Sequence, residues 1–237
     1  NHGSMPAIMT DKEETVELDF HLSSPPPIPL VSSPEVKVYG DGDKHIVLLN
    51  FGYKQSILKQ LCDAGCKVTV VPYDMEPSEV HKLQPDGILL SNGPGDPMQM
   101  VPYLNGFKEL ALKYPTLGIC LGHQLIALSF GGKTKKLLFG HRGANQPVLD
   151  ISVGKVFMTS QNHSYVVDEQ SLEDTGLFVR YRQVNDGSIE GCEHEALPIL
   201  TVQFHPEANP GPAESAVIFR EFLQKVKSKS GREKAYA

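Results

Sequence analysis

From His45 onward the chain alternates short apolar runs with stretches in which apolar residues recur every three or four positions. Residues 45–50, His-Ile-Val-Leu-Leu-Asn, form a continuous apolar run that predicts a parallel strand buried on both faces. Ile57, Leu58, Leu61 and Cys62 follow at helical spacing, and Gly65 can end that helix. Further strands are predicted over 66–71 and 86–91, with a short helix over 78–83, a turn cluster over 92–97 and a helix over 101–114. This alternation predicts an α/β fold, a doubly wound and mostly parallel central sheet with helices on both faces. From Lys133 the runs become β-like, over 133–138, 146–151, 155–160, 165–167, 177–184, 188–194 and 199–204, which predicts a mixed, partly antiparallel extension. Val217, Ile218, Phe222, Leu223 and Val226 share one face of a last amphipathic helix.

Outside that pattern the chain reads differently. Asn1-His2-Gly3-Ser4 reads as a cloning remnant, and the rest of 1–44 is acidic, then proline- and serine-rich. Proline at that density argues against a regular helix or central strand and for a linker or an extended arm across the domain. The division expected is an arm over 1–44, one domain over 45–228 and a basic, polar, frayed tail over 229–237, with the polar character starting at Lys227.

The candidate chemistry begins at Gly118-Ile119-Cys120-Leu121-Gly122, between an apolar run and a helical stretch. Strand, sharp turn and helix with glycines two positions either side of one reactive residue is the pattern of a nucleophile elbow, with cysteine in place of serine. Such a turn holds its side chain out at the carboxyl end of a sheet, and the helix N-terminus favours a thiolate. A thiol nucleophile needs a base, and the base needs a group that fixes its tautomer. His205-Pro206-Glu207, after the strand 199–204, offers both: in extended backbone residues two apart share a face, and Pro206 keeps His205 out of the helical region. Gly93 and Gly95 in Asn-Gly-Pro-Gly-Asp can bring backbone amides close to a reacting atom, although Gly-Pro-Gly also suits a plain turn.

These segments resemble the class I (triad) glutamine amidotransferases. The resemblance rests on 118–124 and 205–207, and narrows to the glutaminase domain of the carbamoyl-phosphate synthetase small subunit on 90–97, 139–147, 159–163, 185–187 and 205–212. It covers about residues 45–226. It implies hydrolysis of glutamine through Cys120, His205 and Glu207, an oxyanion held by the glycine loop and by the amide of Leu121, and glutamine held by Gln124, Asn162, Ser164 and Tyr165. Ser164 stands where the family usually has glycine, which predicts crowding of the substrate, or ~1–3 kcal/mol of strain if its φ is positive. The family also carries a long N-terminal domain that contributes to glutamine binding, and here only the arm precedes the glutaminase, as in a natural short form or a shortened version. The ammonia would go to a synthetase large subunit, with ATP and Mg²⁺ on that partner, because neither a P-loop nor a Rossmann glycine pattern is present. Two other readings keep the fold: a glutaminase for a different synthetase, and a regulatory or interaction module with weak or lost turnover.

Composition narrows the setting. A net charge of −6 argues against nucleic acid and acidic membranes as main partners. No apolar run approaches the ~18 residues of a membrane span. Four cysteines without a framework spacing point to a reducing compartment, hence a cytoplasmic location, and Cys62 and Cys66 lack partners for a metal and read as core.

Overall fold

The computed structural model describes Asp11 and residues 26–235, with side chains described through Val226. The expectations for the cloning remnant, the acidic stretch and the start of the proline-rich segment lie outside the described residues, as do those for side chains of the basic tail.

Ten strands form one sheet: β1 (Lys37–Tyr39), β2 (Lys44–Asn50), β3 (Cys66–Pro72), β4 (Gly87–Leu90), β5 (Thr116–Ile119), β6 (Thr134–Asp150), β7 (Lys155–Val167), β8 (Leu177–Gln183), β9 (Ile189–His194) and β10 (Ile199–Val202). Their order is β1-β3-β2-β4-β5-β10-β9-β8-β6-β7. Strands β3, β2, β4, β5 and β10 pair in parallel, and everything beyond β10 is antiparallel. The predicted two-part sheet is the one observed.

Helices α2 (Gln55–Asp63) and α6 (Val217–Ala235) cover one face; α3 (Pro77–Lys82), α4 (Leu104–Lys113) and α5 (Leu121–Ser129) cover the other. The pleat of β2 divides its apolar run between them, with Ile46 and Leu48 packing against Ile57, Leu61, Ile218 and Phe222, and Val47 and Leu49 packing against Phe107, Leu110 and Leu125. That is why the run reads as continuous and not alternating. Each such fully buried side chain contributes roughly 1.5–3 kcal/mol. Phe157, Tyr181 and Phe204 meet edge to face, with centroids 5.6–6.1 Å apart, and carry the first core layer into the antiparallel half.

Several boundaries differ from the reading of the sequence. The four runs over 133–138, 146–151, 155–160 and 165–167 are two long strands, β6 and β7, because irregularities in register between Lys136 and His141 and between Gly143 and Gln146 let the hairpin bend without breaking. The helix expected over 101–114 is a 3₁₀ segment, Pro97–Tyr103, followed by α4. Asp96 caps it, accepting from Met98 N at 2.9 Å, and Pro102 cannot donate to an α-helical ladder. In the arm a regular helix does form for one turn, α1 (Ile28–Val31), where Pro29 occupies a first-turn position whose N–H would be unpaired anyway. Ile28 is buried in the core, and β1 pairs antiparallel with the edge of β3, so the described residues of the arm, from 26 onward, pack against the domain. The backbone of α6 continues to Ala235, past the residue where the tail was expected to fray.

Helix α5 sits unusually close to the sheet. A Cβ on Gly122 would fall 2.2 Å from the carbonyl oxygen of Leu90, a backbone atom that cannot swing aside. Gly122→Ala is therefore expected to destabilise the protein by about 1–3 kcal/mol, seen as a lower urea midpoint at unchanged slope; an unaltered midpoint would mean that α5 can shift off β4 without loss.

Candidate active site

Three neighbouring parallel strands end at one place. β4 runs into the loop Ser91 to Asp96, β5 into Cys120, and β10 into Gln203 to Glu207, so the carboxyl edge of the sheet collects all three sequence segments. Cys120 has φ 53° and ψ −100°, a conformation that L-residues avoid, directly before the first turn of α5. Backbone bonds hold it there: Cys120 N donates to Val202 O at 2.8 Å, and Gly122 N donates to Ser91 O at 3.2 Å. The amide of Leu121, at the first position of α5, has no partner within the helix, and Leu121 lines the cavity onto which Cys120 opens. Gly93 passes so near that a Cβ would lie 2.8 Å from a methyl of Leu121 and 2.5 Å from Phe51 O.

His205 and Glu207 are both buried, and His205 Nδ1 lies 2.7 Å from Glu207 Oε1. Cys120 is the second group that acts on the imidazole, close enough to shift its basicity. Burial by itself would lower the basicity of His205. Its interactions with Cys120, followed by those with Glu207, outweigh it and raise the pKa to about 10. Burial likewise works against the Glu207 carboxylate, yet His205 and then Lys54 hold its pKa below the usual range. The arrangement is a mostly buried row of sulfur, imidazole, carboxylate and ammonium. Lys54 Nζ is 3.1 Å from Glu207 Oε1 and also donates to Ala208 O. A bond from His205 N to Ser160 O, 2.8 Å, ties the segment to β7.

A cavity of about 380 Å³ opens onto Cys120, lined by Gly93, Gly95, Leu121, Gln124, Asn162, Ser164 and Tyr165 among others. All of the predicted binding residues thus border one space. Gln124 is buried; its Nε2 donates to Tyr165 O and to Gln203 Oε1, both at 2.9 Å, and Gln203 Nε2 donates to Cys120 Sγ at 3.6 Å. Ser164 lies in β7 and is not among the described non-glycine residues with positive φ, so the strain expected of it does not arise. Its hydroxyl accepts a bond from Arg142 Nη2 at 2.6 Å. Tyr165 donates its hydroxyl to Asp96 Oδ2 at 2.9 Å, and burial together with that carboxylate pushes its pKa up to about 12.

Lys54, Gln203, Arg142 and Asp96 belong to the site and were not assigned to it from the sequence. Gln203 carried a signal, as the one amide in an otherwise apolar run leading to His205. Lys54 follows the end of β2, and at a doubly wound sheet the ends of neighbouring strands converge. Its partner lies more than a hundred residues away, and no local pattern announces it.

The family model described as "Glutamine amidotransferase class-I" matches residues 47–225, which include every site segment. The chain belongs to the class-I glutamine amidotransferases. This amidotransferase is 54% identical over 225 residues to the carbamoyl phosphate synthase arginine-specific small chain of Bacillus subtilis, covering 95% of its own length and 63% of the relative. With the arginine-specific small chain of Halalkalibacterium halodurans it shares 52% identity, covering 99% and 66%. With the carbamoyl phosphate synthase small chain of Staphylococcus epidermidis it shares 44%, covering 99% and 65%. It therefore spans less than two thirds of the length of these relatives. Among solved structures, a putative GMP synthase protein from Thermoplasma acidophilum superposes with a TM-score of 0.71 at 25% identity, over 81% of this chain and 98% of that one.

The charge chain has a pH signature. Because the folded pKa of His205 lies above the ~6.5 of an exposed histidine, the pair adds stability that is complete below ~6.5 and is lost as pH rises through about 10. In Cys120→Ser the interactions with the sulfur are gone while burial remains, so the pKa of His205 should fall below that of wild type. Imidazole NMR titration measures this directly, and the loss of stability between pH 7 and 10 should be smaller in the variant. Equal His205 titration in both proteins would refute the coupling.

Proposed function

We propose that this amidotransferase hydrolyses glutamine to glutamate and ammonia, and that the ammonia passes to the large subunit of a carbamoyl-phosphate synthetase. The observation that supports it most is the grouping of Cys120 with the His205–Glu207 pair, Cys120 opening onto a cavity sized for a small amino acid.

In this reading Cys120 Sγ attacks the γ-carboxamide carbon. The oxygen of the tetrahedral adduct is received by the amide of Leu121 and by the glycine loop at Gly93 and Gly95. His205, charged at rest, gives its proton to the departing nitrogen; the C–N bond breaks, ammonia leaves and a γ-glutamyl thioester remains. The now neutral imidazole takes a proton from water, which attacks the thioester, and the thiolate and imidazolium return as glutamate is released. Glu207 fixes the ring and supports its charge, and Lys54 keeps Glu207 ionised. Gln124, Asn162, Ser164 and Tyr165 hold the α-ammonium and α-carboxylate end of the substrate.

ATP and Mg²⁺ are assigned to the synthetase partner. Two of the relatives carry the arginine-specific name, which favours arginine over pyrimidine synthesis as the destination of the product. Among the described residues no helix is long and apolar enough to cross a membrane. We place the protein in the cytoplasm, with no role for nucleic acid.

Glutamate release from glutamine, measured with and without a synthetase large subunit, tests the proposal. Wild type should exceed Cys120→Ser by at least ~10³-fold. Release no higher than that of the variant in both conditions would leave a non-hydrolytic module. Hydrolysis that the large subunit neither stimulates nor uses would point to another synthetase. In the same assay Ser164→Gly, which removes the hydroxyl that holds Arg142, should change KM several-fold and leave kcat near wild type; a fall in kcat at unchanged KM would place Ser164 in the transition state.

A further inference from the structure

We propose that His141, His163 and Glu190 form a binding site for a divalent transition metal of the zinc type, bracing the β6–β7 hairpin against β9 beside the cavity. The proposal is independent of whether glutamine is the substrate.

Glu190, on β9, is fully buried, and neither of its carboxylate oxygens makes a hydrogen bond. A carboxylate in that position costs several kcal/mol unless positive charge meets it. Two imidazoles face it: His141 Nδ1 at 3.3 Å and His163 Nε2 at 3.6 Å from Oε1, with the candidate ligand atoms all within 4.8 Å of one another. Ligands ~2.1 Å from a tetrahedral zinc stand ~3.4 Å apart, close to the two histidine–carboxylate separations seen.

The far nitrogens carry the argument further. His141 Nε2 lies 2.8 Å from Asp186 Oδ2, and His163 Nδ1 lies 3.0 Å from Tyr165 O. A carboxylate or a backbone carbonyl behind the ring is the usual support of a metal-bound histidine, because it fixes the N–H away from the metal and leaves a lone pair toward it. Here both rings have such support. His163 Nε2 also has Gln161 Oε1 at 3.2 Å, a further oxygen donor at the same spot.

Protons alone would meet these groups poorly. Each ring has oxygen at both nitrogens, so with Glu190 ionised and Gln161 Oε1 toward the ring, satisfying them by protons alone takes two adjacent imidazoliums with centroids 4.9 Å apart. Charge-assisted N–H to carboxylate bonds also close to ~2.7–2.9 Å, whereas those at Glu190 are longer and lack hydrogen-bond geometry. One cation among two neutral rings and the carboxylate answers all of these contacts together. His163 adjoins Asn162 and Ser164, and Tyr165 O accepts bonds from both His163 and Gln124, so the metal would stiffen the wall of the cavity.

The test is metal content and metal binding. Full-length protein purified without chelator is assayed for zinc by mass spectrometry. Chelator-stripped protein is then titrated with Co²⁺, read by visible absorption, and with Zn²⁺, read by thermal shift. All measurements are repeated in Cys120→Ser, so that the thiol cannot supply the signal. About one equivalent of metal, a tetrahedral Co²⁺ spectrum retained in Cys120→Ser and affinity reduced at least 10-fold in Glu190→Gln are expected. If Glu190→Gln does not fold, Asp186→Asn, at a partly exposed position, should show the weakened binding instead. Substoichiometric metal with no saturable Co²⁺ spectrum, or binding equal in wild type and the variants, would overturn the proposal and leave a protonated histidine pair.

Discussion

The structure depends on the backbone turn at Cys120. A φ of 53° with ψ of −100° is held in place by hydrogen bonds to the two neighbouring strand ends, Val202 O on one side and Ser91 O on the other. Such strain, of order 1–3 kcal/mol, persists only where the surroundings over-determine it. Here the means is close approach: Gly122 lets α5 rest on the Leu90 carbonyl, and Gly93 lets the neighbouring loop pass against Leu121 and Phe51. The same contacts that force the turn bring a helix N-terminus, a loop of amides and the thiol to one edge of the sheet.

The second constraint is electrostatic. Four charged or chargeable groups in a row, of which only Lys54 reaches appreciably into solvent, would be costly if any one were left alone. Alternation of sign makes each the solvent of the next, and Lys54 at the outer end joins the chain to water. The antiparallel half of the sheet supports this chain from behind, since β7 supplies both the cavity wall and the Ser160 carbonyl that fixes the backbone of His205. The extension is thus part of the site, and an ion at His141, His163 and Glu190 would tie three of its four strands, β6, β7 and β9, at one point.

Much of this is legible along the chain because its causes are local. The buried strands announce themselves as apolar runs, since both faces of a parallel sheet are covered. The elbow announces itself through two glycines at fixed offsets from a cysteine, and His-Pro-Glu through backbone stiffness and the two-residue period of a strand. Hence Cys120, His205 and Glu207 can be singled out from the residues, and the residues that border the cavity from the family they resemble. The bent hairpin is less legible: bulges interrupt the period, so the long strands β6 and β7 look like four short ones.

The sequence by itself determined the order of strands and helices, the identity of the thiol, imidazole and carboxylate, and the glycines that permit their approach, because each follows from the neighbours of a residue. Only the tertiary structure decided which distant side chains complete the site. Lys54 against Glu207, Gln203 against Cys120, Arg142 against Ser164 and the buried meeting of Glu190 with two histidines all join separate strands or loops. Such pairings are set by sheet order and register, which no short stretch of chain contains.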